Sequence, residues 1–192
     1  MSELLRELLA AVAAGDDDRG EAAAQAVGEV GDAALPLLRD LLASENRDRR
    51  WWAVRTMAAV GTSAAIDKIV AALDDPDPDV RACAVVALAE HRPAVAIEPL
   101  VTLLSDPSAY VARLAADGLA QFGQPAAPAL IAALETGDVA ARAGAARALS
   151  VIQPEEAIPA LFAALDDPSA AVTYYAEEAL ARMGVGMVFF EP

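Results

Sequence analysis

Three groups of residues in this 192-residue chain have the types and spacing to do chemistry. Asp75, Asp77 and Asp79 alternate as carboxylates do at the opening of a calcium loop, where every second side chain turns toward one ion. The glycine and the distal glutamate of such a loop are missing, and Pro76 and Pro78 stiffen the segment, so no metal is expected there. His91 is the only histidine and Cys83 the only cysteine. They stand two helical turns apart on different faces, so no nucleophile–base pair is expected, and no glycine-rich phosphate loop is present. The third group is aromatic and cationic: Trp51, Trp52, Arg55, Arg113, Leu114, Arg147, Tyr174, Tyr175 and Arg182. Tryptophan, tyrosine and arginine bury much area at small entropic cost, which makes this group a candidate protein-binding surface.

The elements that must carry these side chains are repeats. Asp16, Asn46, Asp77, Ser108, Asp138 and Ser169 recur at steps of 30, 31, 31, 30 and 31 residues. All six are types whose short side chains can accept the free N–H groups of a helix's first turn, so each is expected to cap a helix. Seven residues after every cap lies alanine: Ala23, Ala53, Ala84, Ala115, Ala145 and Ala176. Eleven after come Val27, Met57, Leu88, Leu119, Leu149 and Leu180; fourteen after come Val30, Val60, His91, Phe122, Ile152 and Met183. Offsets of 7, 11 and 14 line one face of an α-helix. The fifteenth position is glycine in four repeats, where a helix end favours positive φ.

A second apolar pattern precedes each cap. Eight residues before stand Leu8, Leu38, Ile69, Leu100, Leu130 and Leu161; four before, Val12, Leu42, Leu73, Leu104, Leu134 and Leu165. Pro36, Pro128 and Pro159 lie near the start of this segment, where a missing N–H costs nothing. Each unit therefore reads as helix, acidic turn, helix. Such pairs cannot bury their apolar faces alone and must stack. The fold class expected is all-α, an α-solenoid of six helix pairs in one domain over residues 1–184, with boundaries near 31, 61, 92, 123 and 153. The apolar tail 185–192 is expected to cover the last pair.

Charge narrows the partners. The formal net charge is −15, from 29 acidic and 14 basic residues. No basic stripe is available for phosphates and no basic amphipathic helix for a membrane surface, so neither nucleic acid nor membrane is expected as a partner. With one cysteine and no long apolar run, the expected location is the cytoplasm. The apolar columns leave offsets 5, 6, 9 and 13 of each second helix free. Those positions hold five acids and four arginines and are near neutral. The acidic excess sits in the inter-helix turns, where carboxylates complement helix N-termini.

The pattern running from Leu73 to Leu88, with Val80-Arg81, Ala84 and Leu88 at its centre, resembles a HEAT repeat, of the short kind found in phycobilisome (bilin) lyases. The arginine recurs at Arg50 and Arg142, whereas Gly20, Ala112 and Thr173 depart from the pattern. The resemblance covers all six units. It implies that the second helices line a concave binding surface, and that the chain is a non-catalytic scaffold for a protein or peptide, without cofactor. It also implies an alternative, a bilin lyase-like subunit or chaperone in chromophore attachment.

Overall fold

The computed structural model describes residues 2–185. Twelve α-helices and no strand are present among them. The chain divides into two compact units, Met1–Pro93 and Ala94–Pro192. Each unit holds three helix pairs. In the first these are α1 (Ser2–Ala14) with α2 (Asp17–Gly28), α3 (Leu35–Leu42) with α4 (Arg47–Val60), and α5 (Ser63–Ala71) with α6 (Pro78–His91). In the second they are α7 (Ile97–Thr102) with α8 (Ala109–Phe122), α9 (Ala127–Thr136) with α10 (Val139–Ile152), and α11 (Ile158–Ala163) with α12 (Ala170–Arg182). Beyond Val185, the tail expected to cover the last pair lies outside the described residues.

Within each unit the second helices form one layer: α4 packs between α2 and α6, and α10 between α8 and α12. The sequence columns explain why. The alanines at offset 7 are 0–5% exposed and the large residues at offset 11 are 0–3% exposed, so small and large side chains alternate along the buried face. The column eight before the cap is 0% exposed in all six repeats. Burying each of those leucines and isoleucines contributes roughly 1.5–3 kcal/mol.

Three expectations are corrected. The offset-14 column is mostly half-buried, with only Phe122 buried and His91 exposed, because it lies on the fraying last turn. The column four before the cap is buried only at Leu73, Leu104 and Leu134; the neighbouring column, Ala11, Leu41, Ala72, Leu103, Ala133 and Ala164, is buried throughout. The end of the first helix tightens into 3₁₀ turns at Ala72–Asp74, Leu103–Ser105 and Ala164–Asp166. Capping also differs. Asp16, Asn46, Asp77 and Asp138 accept from the first-turn N–H groups of Arg19, Arg49, Asp79 and Ala141. Ser108 and Ser169 make no side-chain cap; their own N–H groups donate to Asp106 and Asp167 two residues earlier.

Position 15 has positive φ in every repeat, including the two where it is not glycine: Arg92 at 51° and Gln153 at 56°. A side chain in the left-handed region is strained, whereas glycine adopts it freely. Gln153→Gly is expected to stabilise the protein by about 0.5–1 kcal/mol, read as a higher Tm in a thermal melt.

Candidate functional site

The residues singled out from the sequence fall on the second-helix layers, and each unit organises them around a central arginine. In the first unit Arg55 of α4 makes a bidentate pair with Glu21 of α2, Nε at 2.9 Å and Nη2 at 2.5 Å, and stands 4.0 Å from Glu90 of α6. Burial pushes the Glu21 carboxyl up, but hydrogen bonds from Arg55 and Gln25 and the arginine's charge outweigh it, and the net shift is downward.

Trp52 is not exposed as expected. It is 6% exposed and packs sideways against Gly20 of the preceding second helix, where an added Cβ would come within 2.5 Å of the indole. Gly20 thus stands in the arginine column because the indole fills that space. Trp51 is half-buried, edge-on to Trp52 with ring centroids 5.0 Å apart. At the same offset as Trp52, Cys83 is also buried, and Leu114, Gly144 and Tyr175 are half-buried. Burial pushes the Cys83 thiol up to about 12, which keeps it protonated and poorly nucleophilic. His91 is used in packing the ends: its Nε2 lies 2.8 Å from the Ala58 carbonyl, one of the last four of α4, and satisfies it.

In the second unit Arg147 of α10 takes the same offset as Arg55. Its Nε and Nη2 donate to Asp117 Oδ1 of α8 at 3.0 and 2.7 Å, and its Nη1 donates to the Tyr175 hydroxyl of α12 at 3.1 Å. Its guanidinium also lies 5.8 Å from the Tyr175 ring centre. Tyr174 and Tyr175 meet edge-on at 5.2 Å, and Tyr174 stays 60% exposed. Arg182 donates to Glu178 at 2.7 Å and to the Ser150 carbonyl. Arg113 is exposed, 6.0 Å from the Tyr110 ring centre. The structure therefore brings Arg147 and Tyr175 together, keeps Tyr174, Arg113 and Arg182 at the surface, and withdraws Trp52.

A model of HEAT repeats matches residues 2–89, 41–114 and 97–181. The chain belongs to the HEAT-repeat family. Among solved structures it is similar to an engineered protein at 24% identity, with TM-score 0.50, covering 97% of this chain and 98% of that one. It is also similar to the complex of CpcE and CpcF of phycocyanin lyase from Nostoc sp. PCC7120, at 27% identity and TM-score 0.53, covering 77% of this chain and 64% of that one. Among curated proteins no sequence matches.

The family's arginine column has a role that the sequence reading missed. Arg50 donates from Nε and Nη2 to both oxygens of Asp75 at 2.7 and 3.0 Å, and Arg142 does the same to Asp167 at 2.7 and 3.1 Å. These aspartates are not caps. Each takes the arginine of the preceding HEAT repeat while accepting the N–H two residues on, from Asp77 and Ser169. The signal was present: Arg50 with Asp75 and Arg142 with Asp167 are both 25 residues apart, and Gly20 and Ala112 are followed at about that distance by Ser44 and Thr136. The alternating aspartates that suggested a calcium loop are thus occupied, Asp75 by Arg50 and Asp79 by Arg47. Among the described residues no group of three metal-ligating side chains is arranged to hold an ion, and no helix is long and apolar enough to cross a membrane.

Two outcomes follow. Trp52→Ala is expected to cost about 3–5 kcal/mol in a denaturant melt, with Trp51→Ala costing much less. Asp167 is held below the usual carboxylate range by hydrogen bonds from Arg142, against the upward push of burial, with the Ser169 N–H and the arginine charge helping. A carboxylate with a depressed native pKa stabilises above the ordinary aspartate range, near 3.9, and loses that contribution as pH falls through the native value. Asp167→Asn should therefore lower Tm at pH 7, and the gap from the unmodified protein should close as the melts are taken to acid pH.

Proposed function

We propose that this HEAT-repeat chain is a non-catalytic scaffold that holds a protein or peptide on its second-helix faces. The observation that carries the reading is the surface chemistry of those faces in the second unit. Tyr174 is 60% and Val151 57% exposed on a rigid helical layer whose neighbouring charges, Asp117, Arg147, Glu178 and Arg182, are already paired with one another. Exposed tyrosine on a rigid frame supplies contact area with little entropy to lose on binding. The paired charges need not be stripped of a partner for binding to occur. Arg113 and Leu114 of the same unit complete that contact set; the first unit offers a face of its own, with Trp51, supported from beneath by Trp52, and Arg55.

Affinity purification from the native host with the unmodified chain and with a Tyr174→Ala, Arg113→Ala double variant tests this. A protein retained by the first and lost by the second, at equal Tm, is the expected result. Equal retention of every bound protein by both would remove the second-helix face from the function.

The likeness to the CpcE–CpcF complex of phycocyanin lyase favours one second reading, a subunit or chaperone in chromophore attachment. In that case a bilin mixed with the purified chain would shift in absorption, and Tyr174→Ala would reduce the shift. An unchanged spectrum at saturating protein disposes of it.

A further inference from the structure

We infer that the apolar segment Met187, Val188, Phe189 and Phe190 docks on the outer side of α11, along Ile158, Phe162 and Leu165. The site is separate from the second-helix faces proposed above and does not depend on them.

Ile158, Phe162 and Leu165 stand four and three residues apart, on one side of α11 and the 3₁₀ turn that follows it. Their counterparts are Ile97, Val101 and Leu104 in the fourth repeat and Ala127, Ile131 and Leu134 in the fifth. In those repeats the next repeat supplies the cover. α9 packs on α7 and α11 on α9, and a Cβ on Gly144 of α10 would come within 2.9 Å of Leu104 Cδ2. Leu104 is accordingly 1% and Leu134 4% exposed, and Ile97 and Ala127 are buried. In the sixth repeat Ile158 and Leu165 are only half-buried, and Phe162 is 43% exposed where Val101 and Ile131 are half-buried. A large aromatic ring stands at the centre of an apolar strip that the sixth repeat itself does not cover.

Glu177 limits what can cover that strip. It lies eight residues after the cap on α12. The same position holds Ala24, Val54, Ala116 and Ala146 in the four repeats that another follows within the same unit, and these are 0–1% exposed. Glu177 is exposed. A further helix pair, or the end of a second copy, would lie over α11 and α12 together and strip this carboxylate of water, which is costly for a charge without a buried partner. One extended segment along α11 covers the apolar half of the face and leaves Glu177 in solvent.

The chain delivers such a segment at the right place. α12 ends with Gly184 at φ 72°, and the Val185 N–H donates to the Leu180 carbonyl at 3.0 Å, a turn that reverses the chain at a helix end. In the preceding repeats the next first helix begins four residues after Gly123, at Ala127, and five after Gln153, at Ile158. Val188 and Phe189 stand four and five residues after Gly184. Five extended residues span about 17 Å, against a spacing of about 8–10 Å between packed helices, so the segment reaches α11. Its tether gives it an effective concentration on the order of millimolar, above that of a second copy in dilute solution.

Thermal melts and hydrogen exchange test this on the full chain, on a chain ending at Val185, and on the double variant Phe189→Ser, Phe190→Ser. Ending the chain at Val185 is expected to lower Tm by about 4 °C or more. It should also speed amide exchange over residues 158–165 by roughly tenfold or more, with exchange in the first unit unchanged. The double variant should reproduce most of both effects at full length. Phe162→Ala should lower Tm more in the full chain than in the chain ending at Val185, since there the contact is already gone. Equal exchange over 158–165 with and without the segment, or equal effects of Phe162→Ala in the two backgrounds, overturns the inference. A full-chain Tm that rises with protein concentration, through a dimer that Phe162→Ala dissolves, also overturns it and gives the strip to a second copy.

Discussion

Everything in this structure depends on the inability of one helix pair to bury its own apolar faces. A second helix of fourteen residues with alanine at offset 7 and a leucine or its equivalent at offset 11 has a face too narrow and too shallow to form a core by itself. Stacked against neighbours, the same residues become inaccessible: Leu88, Leu119 and Leu149 are all 0% exposed. The alanines matter as much as the leucines, because their size lets helices approach closely. At Gly28 the approach is closer still, since a Cβ would stand 2.8 Å from the Ala59 backbone.

Polar contacts between repeats are fewer and set orientation. Arg50–Asp75 and Arg142–Asp167 tie the second helix of one repeat to the turn of the next, in both cases through two parallel N–H···O contacts. The fork geometry of such a pair fixes an angle as well as a distance. Arg55 with Glu21, and Arg147 with Asp117 and Tyr175, do the same on the second-helix layer. Asp75 and Asp167 in the acidic turns are therefore held by partners on the preceding repeat.

The two units differ in what they leave for a partner. On the first, the large aromatic area is mostly consumed internally: Trp52 fills the space over Gly20, and Trp51 leans on it. On the second, Tyr110 and Tyr174 stay open and Arg113 stays without an acid.

Sequence periodicity by itself determined the repeat length, the two helices per repeat, the alanine and leucine columns and the position that needs positive φ. Each of these is a local consequence of helical geometry and side-chain size, and each was legible at Ala84, Leu88 and Gly61. Tertiary structure alone decided which of two adjacent residues at a repeat contact is buried. Trp51 and Trp52 differ by one 100° step around a helix, and only the packing of α4 on α2 turns Trp52 inward. It also decided that Asp75 and Asp167 take the preceding repeat's arginine while accepting the N–H at the start of their own helix, because the arginine contact joins residues 25 apart. The same carboxylate satisfies a cap or an ion pair equally well in the sequence, and only the position of the neighbouring guanidinium distinguishes the two.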